Sequence, residues 1–338
     1  MAPRTVGIVG LGLIGGSIAL DLLAADRRVV GLDPDPDTMT AAGRAGVEPA
    51  GDLAAVADAV DLVVVASPPA TVAETVQRVT TMTAVPVTDV ASVRDPAALG
   101  LPAPLPTNWV GSHPMAGTER TSFAAARRGL LVGAPWLITP HDDAEMPALA
   151  AVVALALDLQ ARPVVVPAAT HDAMVATMSH LPHLLAYGLQ HRGRQAGGDV
   201  VAALAGPSFR DATRVAASSP EFWADLVTRN ADAVAATVHA LQAWLDDTMR
   251  IVAADDPAAL VAHFDAARRR PGPRARSDGP DEVVVLDDAA SALASLRRAG
   301  RHGRHVTEIA TVAGTPTLTL APPTSQEYGV RGSHVGPP

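Results

Sequence analysis

The chain has 338 residues, of which 48% are hydrophobic, so it is long enough for roughly two or three domains with buried cores. Its net charge of -9 gives no electrostatic reason to expect nucleic acid as a partner. It contains neither cysteine nor lysine, which excludes disulfides, thiolate chemistry, Schiff-base catalysis and a Walker A phosphate loop.

Two further features bear on where the protein works. The opening residues lead directly into a strand-like run and lack the apolar core and cleavage pattern of a secretory leader. The longest apolar stretch, residues 148–157, is too short to cross a bilayer. Because cysteine is also absent, we expect a cytoplasmic protein with no membrane partner.

The first half of the chain alternates strand-like and helix-like segments. Apolar, β-branched runs at 6–9, 28–32 and 61–66 predict strands. A Gly-rich turn follows the first run and leads into a predicted helix over 16–25. Strands separated by helices indicate an α/β fold with a parallel, Rossmann-type doubly wound sheet. Further strands are predicted at 86–90 and 109–112, with 136–139 and 164–166 extending the sheet toward an edge.

Beyond residue 167 the strand signals give way to long helical stretches, which predict an all-α helical domain. The stretches run over 168–191 and 220–252. Near the end of the chain, the segments 282–286, 289–299, 305–313 and 317–320 predict a small β-α-β-β unit, which resembles half of an ACT regulatory fold. The predicted organisation is a Rossmann domain at 1–166, a helical substrate and dimerisation domain at 167–268, a linker at 269–281, a partial ACT-like segment at 282–322 and a disordered tail at 323–338.

The turn after the first predicted strand has the pattern of a dinucleotide-binding loop. Gly10 permits a tight turn, Gly12 lets the backbone approach a pyrophosphate, and Gly15 lets helix and strand pack closely. Asp33 ends the second strand, where an acid binds the ribose hydroxyls and favours NAD over NADP. The alternative is a strand–helix turn without a ligand. The residues predicted to bind the cofactor are Gly10, Gly12, Leu13, Ile14, Gly15, Asp33, Ser67 and Pro68, although Ser67 and Pro68 also suit a plain turn.

Four later segments carry polar residues that a purely structural role explains poorly. They are residues 88–94, 111–119, 179–183 and 206–214, which read TDVASVR, GSHPMAGTE, SHLPH and GPSFRDATR. With the GLGLIGGS turn, and in this order, these motifs closely resemble the prephenate/arogenate dehydrogenase family over roughly residues 5–265. The chain departs from the family pattern at Arg94, where lysine is common, and at 205–207, which replace a more Gly-rich run.

The resemblance implies an NAD-dependent enzyme that oxidatively decarboxylates a cyclohexadienol in tyrosine biosynthesis. His113 resembles the family's base, and a neutral imidazole suits proton abstraction. Ser92 resembles a serine that binds the same substrate hydroxyl, although a helix N-cap is a serious alternative role. Either prephenate or arogenate would serve as substrate, since the two differ only by keto or amino on the side chain.

The resemblance also assigns residues to substrate binding. Arg214 resembles the arginine that grips the ring carboxylate, and Arg210 would assist with the second carboxylate. His183 resembles a pocket histidine, and Glu119 shapes the pocket or is a solvated helix acid. A metal site at His180 and His183 is not predicted, because a proline interrupts the pair and no acidic partner follows nearby. The sequence assigns no role to His171.

Two other functions compete with this prediction. A β-hydroxy acid dehydrogenase shares the two-domain plan but typically uses a lysine base, which this chain lacks. A non-catalytic NAD-sensing module would keep the glycine loop without needing His113 and Arg214. From the family, we expect a homodimer formed through the helical domain, and a single activity because no mutase-like helical segment precedes the first strand. Whether tyrosine inhibits the enzyme is left open.

Overall fold

The computed structural model describes residues 3–58, 60–117, 122–268, 280–312 and 314–323. All but the first residue of the predicted tail, most of the predicted linker and Glu119 lie outside these ranges. The strands are β1 Thr5–Val9, β2 Arg28–Leu32, β3 Glu48–Pro49, β4 Leu62–Val65, β5 Val87–Asp89, β6 Gly111–Pro114, β7 Pro135–Thr139, β8 Arg162–Val165, β9 Glu282–Val285, β10 His305–Val312 and β11 Thr315–Ala321. The α-helices are α1 Leu13–Ala24, α2 Pro36–Arg44, α3 Leu53–Asp58, α4 Pro69–Met82, α5 Pro96–Leu99, α6 Met146–Asp158, α7 Ala168–Val175, α8 Leu181–Gly197, α9 Asp199–Leu204, α10 Pro207–Thr213, α11 Pro220–Arg229, α12 Ala231–Ala253, α13 Pro257–Arg268 and α14 Ala289–Arg301.

A five-stranded parallel sheet in the order β3-β2-β1-β4-β5 forms the first part of the molecule. Along β4, Leu62 and Val64 pack into one hydrophobic cluster, whereas Val63 and Val65 pack into a second cluster on the opposite face. Both faces are buried because helices cover each of them, so the strand is apolar throughout and does not alternate with polar residues. The predicted Rossmann-type doubly wound sheet is confirmed.

Strands β6, β7 and β8 form a separate three-stranded sheet, so the prediction that 136–139 and 164–166 extend the parallel sheet was wrong. In this second sheet β6 and β7 are antiparallel, and β7 and β8 are parallel. A hydrophobic run carries no information about strand direction, which is why the sequence pattern missed the change. A parallel bridge between Val87 and Trp109 joins the two sheets, and it brings β6 beside the carboxyl end of β5.

The second part is helical, as predicted, but its helices are shorter than the sequence pattern suggested. The stretch 168–191 is divided by a turn of π-helix at Ala176–His180, and the stretch 220–252 is divided at Asn230. Pro182 lies in the first turn of α8, where a missing N–H costs little. Within the described residues, none of these helices has both the length and the apolar character that a bilayer crossing requires.

The last elements form a small β-α-β-β unit, as predicted, with an antiparallel sheet in the order β10-β11-β9. Its buried residues Leu293, Leu296 and Leu318 belong to the same hydrophobic cluster as residues of α6 and β8. Gly300 allows this close packing, because a Cβ there would lie 1.9 Å from the carbonyl oxygen of Val165. The unit is therefore packed against the first part of the molecule.

Candidate active site

Three glycines shape the turn between β1 and α1. Gly10 has φ +95°, and a Cβ there would lie 2.5 Å from the carbonyl oxygen of Ala66. A Cβ on Gly15 would lie 2.0 Å from the carbonyl oxygen of Gly10, so the close approach of helix and strand requires glycine. By contrast, a Cβ on Gly12 would meet nothing within 4 Å, and Gly12 provides no side-chain cap for α1. The first amides of the helix, from Leu13 onward, thus suit an anion such as a pyrophosphate.

Two further groups at the same sheet edge fit a dinucleotide. Asp33 follows β2, and its carboxylate accepts hydrogen bonds from the N–H of Leu11 at 2.8 Å and of Asp35 at 3.0 Å. These bonds fix a negative charge beside the turn, which opposes a 2′-phosphate. Ser67 follows β4, and its Oγ is buried without a hydrogen-bond partner in the described part of the chain. An orphaned hydroxyl of this kind is expected where a ligand supplies the missing partner.

A buried ion pair clamps the loop that follows β5 and carries Ser92. Asp89 and Arg94 have no exposed side-chain surface, and two Arg94 nitrogens donate to the carboxylate at 2.5 and 2.8 Å. The indole Nε1 of Trp109 donates to the same carboxylate at 3.0 Å. Gly111 leaves room for the guanidinium, since a Cβ there would lie 2.0 Å from Arg94 Nη2. The loop therefore has a fixed position relative to β6.

His113 on β6 is the first member of a chain of three side chains. Its Nδ1 lies 2.9 Å from Nε2 of His171, and Nδ1 of His171 lies 2.8 Å from Oδ1 of Asp172. His171 and Asp172 are adjacent residues of α7 and both are buried. Asp172 also accepts hydrogen bonds from the backbone N–H groups of Arg94 and Asp95, both at 2.8 Å. The helix α7 thus connects the imidazole of His113 to the loop of Ser92.

The environment lowers the pKa of three imidazoles at this site. Burial holds the pKa of His113 well below its ordinary value, and the nearby His171, Arg94 and His180 lower it further. Burial also lowers the pKa of His171, against the opposing influence of Asp172. The pKa of His180 is lowered to about 4, mainly by burial. A neutral imidazole at the working pH can accept a proton, as a general base must.

A cleft of about 680 Å³ opens between β6 and the helical part. Its lining combines imidazoles and hydroxyls with an apolar wall that includes Val175, Phe222 and Trp223. His183 stacks on Trp223 with ring centroids 3.5 Å apart, and its Nδ1 donates to the carbonyl of Ser179 at 2.9 Å. The shape and composition suit a small ring with polar substituents.

The structure brings three predicted site residues together in this cleft, namely Ser92, His113 and His183. Arg210 and Arg214 are both exposed and lie outside the lining formed by the described residues. Arg210 donates to the carbonyl of Ala205 at 2.8 Å. Arg214 begins a short 3-10 turn, Arg214–Ala217, whose Val215 lines the cleft. Glu119 falls outside the described residues.

Sequence reasoning missed three side chains that the structure places at the site. His171 and Asp172 are buried behind His113, and His180 is buried and lines the cleft. His180 accepts a hydrogen bond from Nδ2 of Asn230 at 3.2 Å. The one available signal was the adjacent His–Asp pair at the start of a helix that follows the last strand of the second sheet. Among the residues described, no group of three or more potential ligands could hold a metal ion.

Comparison with known proteins identifies the family. The family model for the prephenate dehydrogenase nucleotide-binding domain matches residues 18–165, and the model for the prephenate dehydrogenase dimerization domain matches residues 167–266. The chain is 28% identical to a prephenate dehydrogenase of Bacillus subtilis (strain 168), over 87% of this chain and 85% of that protein.

Solved structures give the same picture. An arogenate dehydrogenase from Synechocystis matches with a TM-score of 0.69 and 27% identity, covering 78% of this chain and 97% of that one. A prephenate dehydrogenase from A. aeolicus, in complex with hydroxyphenyl propionate and NAD+, matches with a TM-score of 0.68 and 26% identity, covering 78% and 96%. Since the two family models together match well over half of its length, the chain belongs to the prephenate dehydrogenase family and is an oxidoreductase with a nucleotide-binding domain.

Proposed function

We propose that this enzyme converts prephenate to 4-hydroxyphenylpyruvate by NAD-dependent oxidative decarboxylation, a step in tyrosine biosynthesis. The observation that carries the proposal is the position of the His113 imidazole. It lines a cleft at the same sheet edge as the glycine turn and is held from behind by buried groups. The names of the relatives from Bacillus subtilis and A. aeolicus support prephenate as the substrate.

The proposed chemistry uses His113 as the base and Ser92 as its partner. The substrate is a cyclohexadienol with a 4-hydroxyl and a carboxylate on C1. His113 accepts the hydroxyl proton as the C4–H bond breaks, and Ser92, which lines the same cleft, hydrogen-bonds the hydroxyl. The C1–carboxylate bond then breaks, CO2 leaves, its electron pair completes the aromatic ring, and the new phenolate oxygen takes the proton back. NAD supplies the acceptor for the hydride that leaves C4.

The residues that would hold NAD are those at the carboxyl ends of β1, β2 and β4. The turn Gly10, Gly12, Leu13, Ile14 and Gly15 would receive the pyrophosphate, and the carboxylate of Asp33 would bind the ribose hydroxyls. Ser67 has an unsatisfied buried hydroxyl to offer, and Pro68 forms the N-cap of α4 beside it. The NAD+ in the A. aeolicus complex supports this choice of cofactor.

For the two substrate carboxylates we propose Arg214 as the main anchor and Arg210 as its assistant, with His183 and Glu119 shaping the pocket. The lining formed by the described residues contains no arginine, so a cation must come from its margin. Arg214 precedes Val215, which is part of the lining, and is therefore well placed by the chain. Replacing Arg214 by alanine is expected to raise KM more than it lowers kcat, whereas Arg210→Ala should have the smaller effect.

Prephenate is preferred to arogenate because of the polar groups that line the cleft. Within the described residues, these groups are serine hydroxyls and imidazoles, without a carboxylate. A keto oxygen can accept hydrogen bonds from such groups, whereas the ammonium of arogenate finds no charged partner among them. The carboxylate of Glu119, which is outside the described residues, would offer such a partner and favour arogenate. The Synechocystis neighbour favours the competing assignment, arogenate dehydrogenase.

The test is the rate of NADH formation with prephenate, arogenate and a β-hydroxy acid, measured side by side. We expect the highest kcat/KM with prephenate, with 4-hydroxyphenylpyruvate and CO2 formed in equal amounts. A higher value with arogenate would reassign the substrate. NAD binding without turnover of any of the three would indicate a sensing module. Adding tyrosine to the same assay determines whether it inhibits.

We also propose that the domain boundaries lie at residues 166 and 268, and that the chain forms a homodimer through its helical domain. The dimerization-domain match supports this arrangement. So does the number of large hydrophobic side chains that are exposed in the helical part, among them Leu185, Leu189, Leu204, Met249 and Phe264. Sedimentation of the full chain should give the mass of two copies.

A further inference from the structure

The hydrogen bonds behind His113 determine which of its ring nitrogens carries the proton. A carboxylate can only accept hydrogen bonds, and the partners of Asp172 in the structure are N–H groups. The proton between His171 and Asp172 therefore belongs to Nδ1 of His171. A neutral His171 then has a lone pair on Nε2, so Nδ1 of His113 must be the donor in the 2.9 Å contact.

This assignment fixes the chemistry that His113 can perform. With its proton on Nδ1, a neutral His113 has its lone pair on Nε2, on the opposite side of the ring from His171. Since His113 lines the cleft, this nitrogen is the one that a substrate hydroxyl can reach. The other tautomer would offer the cleft an N–H, which donates hydrogen bonds and cannot take a proton.

We infer that His171 and Asp172 are positioning residues, which hold His113 in the tautomer whose Nε2 can act as a base and keep the Ser92 loop in register with it. The inference rests on the proposed function, in which His113 accepts the substrate proton. Asp172 performs both tasks at once, because Oδ1 accepts from His171 and from the N–H of Arg94, while Oδ2 accepts from the N–H of Asp95.

The charges around His113 disfavour the protonated form that a base must reach during turnover. The guanidinium of Arg94 and the rings of His171 and His180 all disfavour a proton on His113, as does burial. The carboxylates of Asp172 and Asp89 favour a proton on His171, the ring to which His113 is hydrogen-bonded. When His113 becomes imidazolium during turnover, its hydrogen bond to His171, which is in turn bonded to the carboxylate of Asp172, offsets part of the cost of burying that charge.

The direct test is the tautomer of His113 in the full-length enzyme, read from the ¹⁵N shifts of labelled histidine. A His113→Gln variant identifies the signals that belong to this ring. We expect a protonated Nδ1 and an unprotonated Nε2 in the wild type, and a mixture of tautomers in His171→Leu. A proton on Nε2 of the wild-type ring would overturn the inference.

Kinetics of the same variants give an independent readout. For His171→Leu we expect kcat with prephenate to fall by roughly 30-fold. The KM for prephenate and the KM for NAD should each change less than about threefold, because the groups proposed to bind them are untouched. His171→Gln, whose amide can still accept from His113 and donate to Asp172, should recover most of the loss. His305→Leu, which replaces a buried histidine of the C-terminal unit, is the matched control and should retain kcat.

The outcomes separate the inference from the proposed function. If His171→Leu does not fold, the wild-type tautomer and the His171→Gln rate still decide the matter. Full activity in a folded His171→Leu would overturn the positioning role while leaving the dehydrogenase intact. If instead the wild type fails to oxidise prephenate, the proposed function falls, and the ¹⁵N measurement still tests the tautomer because it needs no substrate.

Discussion

The glycine turn and the cleft lined by Ser92 and His113 lie at the same edge of the sheet, yet they are built in opposite ways. The turn consists of consecutive residues whose backbone geometry forms the site, with Gly12 open to a ligand and Gly10 in a left-handed conformation. The cleft is assembled from side chains on separate segments, and its central chain runs from His113 through His171 to Asp172. A substitution in the turn therefore affects one local contact with a ligand, whereas a substitution in the hydrogen-bonded chain of side chains affects all its members.

The largest effect that this comparison predicts is on turnover. Replacing His113 with alanine should lower kcat by about 10³-fold, since a positioned general base contributes on the order of 10²–10⁴. NAD affinity, measured by titration, should change less than about twofold, because the groups proposed to bind the cofactor are elsewhere. His302→Ala, at an exposed histidine beyond α14, is the control and should behave as wild type. Wild-type-like turnover by His113→Ala would refute the assignment of the base.

The next effect is on stability, because the cleft depends on a buried ion pair. Asp89→Asn would leave the guanidinium of Arg94 buried without a full counter-charge, and we expect about 3 kcal/mol of unfolding free energy to be lost. The matched change Glu48→Gln removes the carboxylate that pairs with Arg28 at the surface, and it should cost much less because solvent screens that pair. Denaturant unfolding measures both variants. Equal losses would mean that the buried clamp does not support the fold.

These differences explain how far the sequence could predict the site. The turn was predictable because Gly10, Gly12 and Gly15 act through their own backbone, at spacings fixed by one strand–helix junction. His171 and Asp172 were not, because their importance comes from contacts with residues 58 and 78 positions away. Periodicity identifies helices and strands, but it cannot show which buried side chains face each other across them.

The same limit applied to the fold. Apolar runs gave the positions of the strands, including β7 and β8, except for the short, exposed β3, but they did not give the antiparallel pairing of β6 with β7. The helix breaks at Ala176–His180 and at Asn230 were missed because apolar spacing continues through both of them. The direction of a strand and the end of a helix depend on contacts with distant residues. At the break between α11 and α12, these contacts are the hydrogen bonds of Asn230 to His180 and to the carbonyl of Asp172.

A smaller effect is expected at the turn, where cofactor binding and folding can be separated. Gly12 has φ -69°, which is outside the left-handed region, and its Cβ would meet no protein atom within 4 Å. Gly12→Val should therefore fold normally but weaken NAD binding by roughly 30-fold, because the side chain occupies the approach to the pyrophosphate. Gly43→Val in α2, also with open space around its Cβ, should leave NAD affinity unchanged. Unchanged affinity in Gly12→Val would place the cofactor elsewhere.

The smallest expected effect concerns pH and tests whether the cleft sets the basicity of His113. A base is active when unprotonated, so a lowered pKa moves the acid limb of kcat/KM to lower pH. An ordinary imidazole with a pKa of 6.5 would lose about threefold of its activity between about pH 7 and pH 6. Because burial, His171, Arg94 and His180 all lower the pKa of His113, we expect almost no loss over that interval.

The pH measurement must separate titration from unfolding. His180, with a pKa lowered to about 4 by burial, is neutral in the fold and ordinary when unfolded, so stability is present above about pH 6.5 and declines as pH falls toward 4. Enzyme returned from about pH 6 to pH 7 should therefore recover full activity before the profile is interpreted. A reversible acid limb centred near pH 6.5 would show that His113 titrates as if in water, and that the buried network leaves its basicity unchanged.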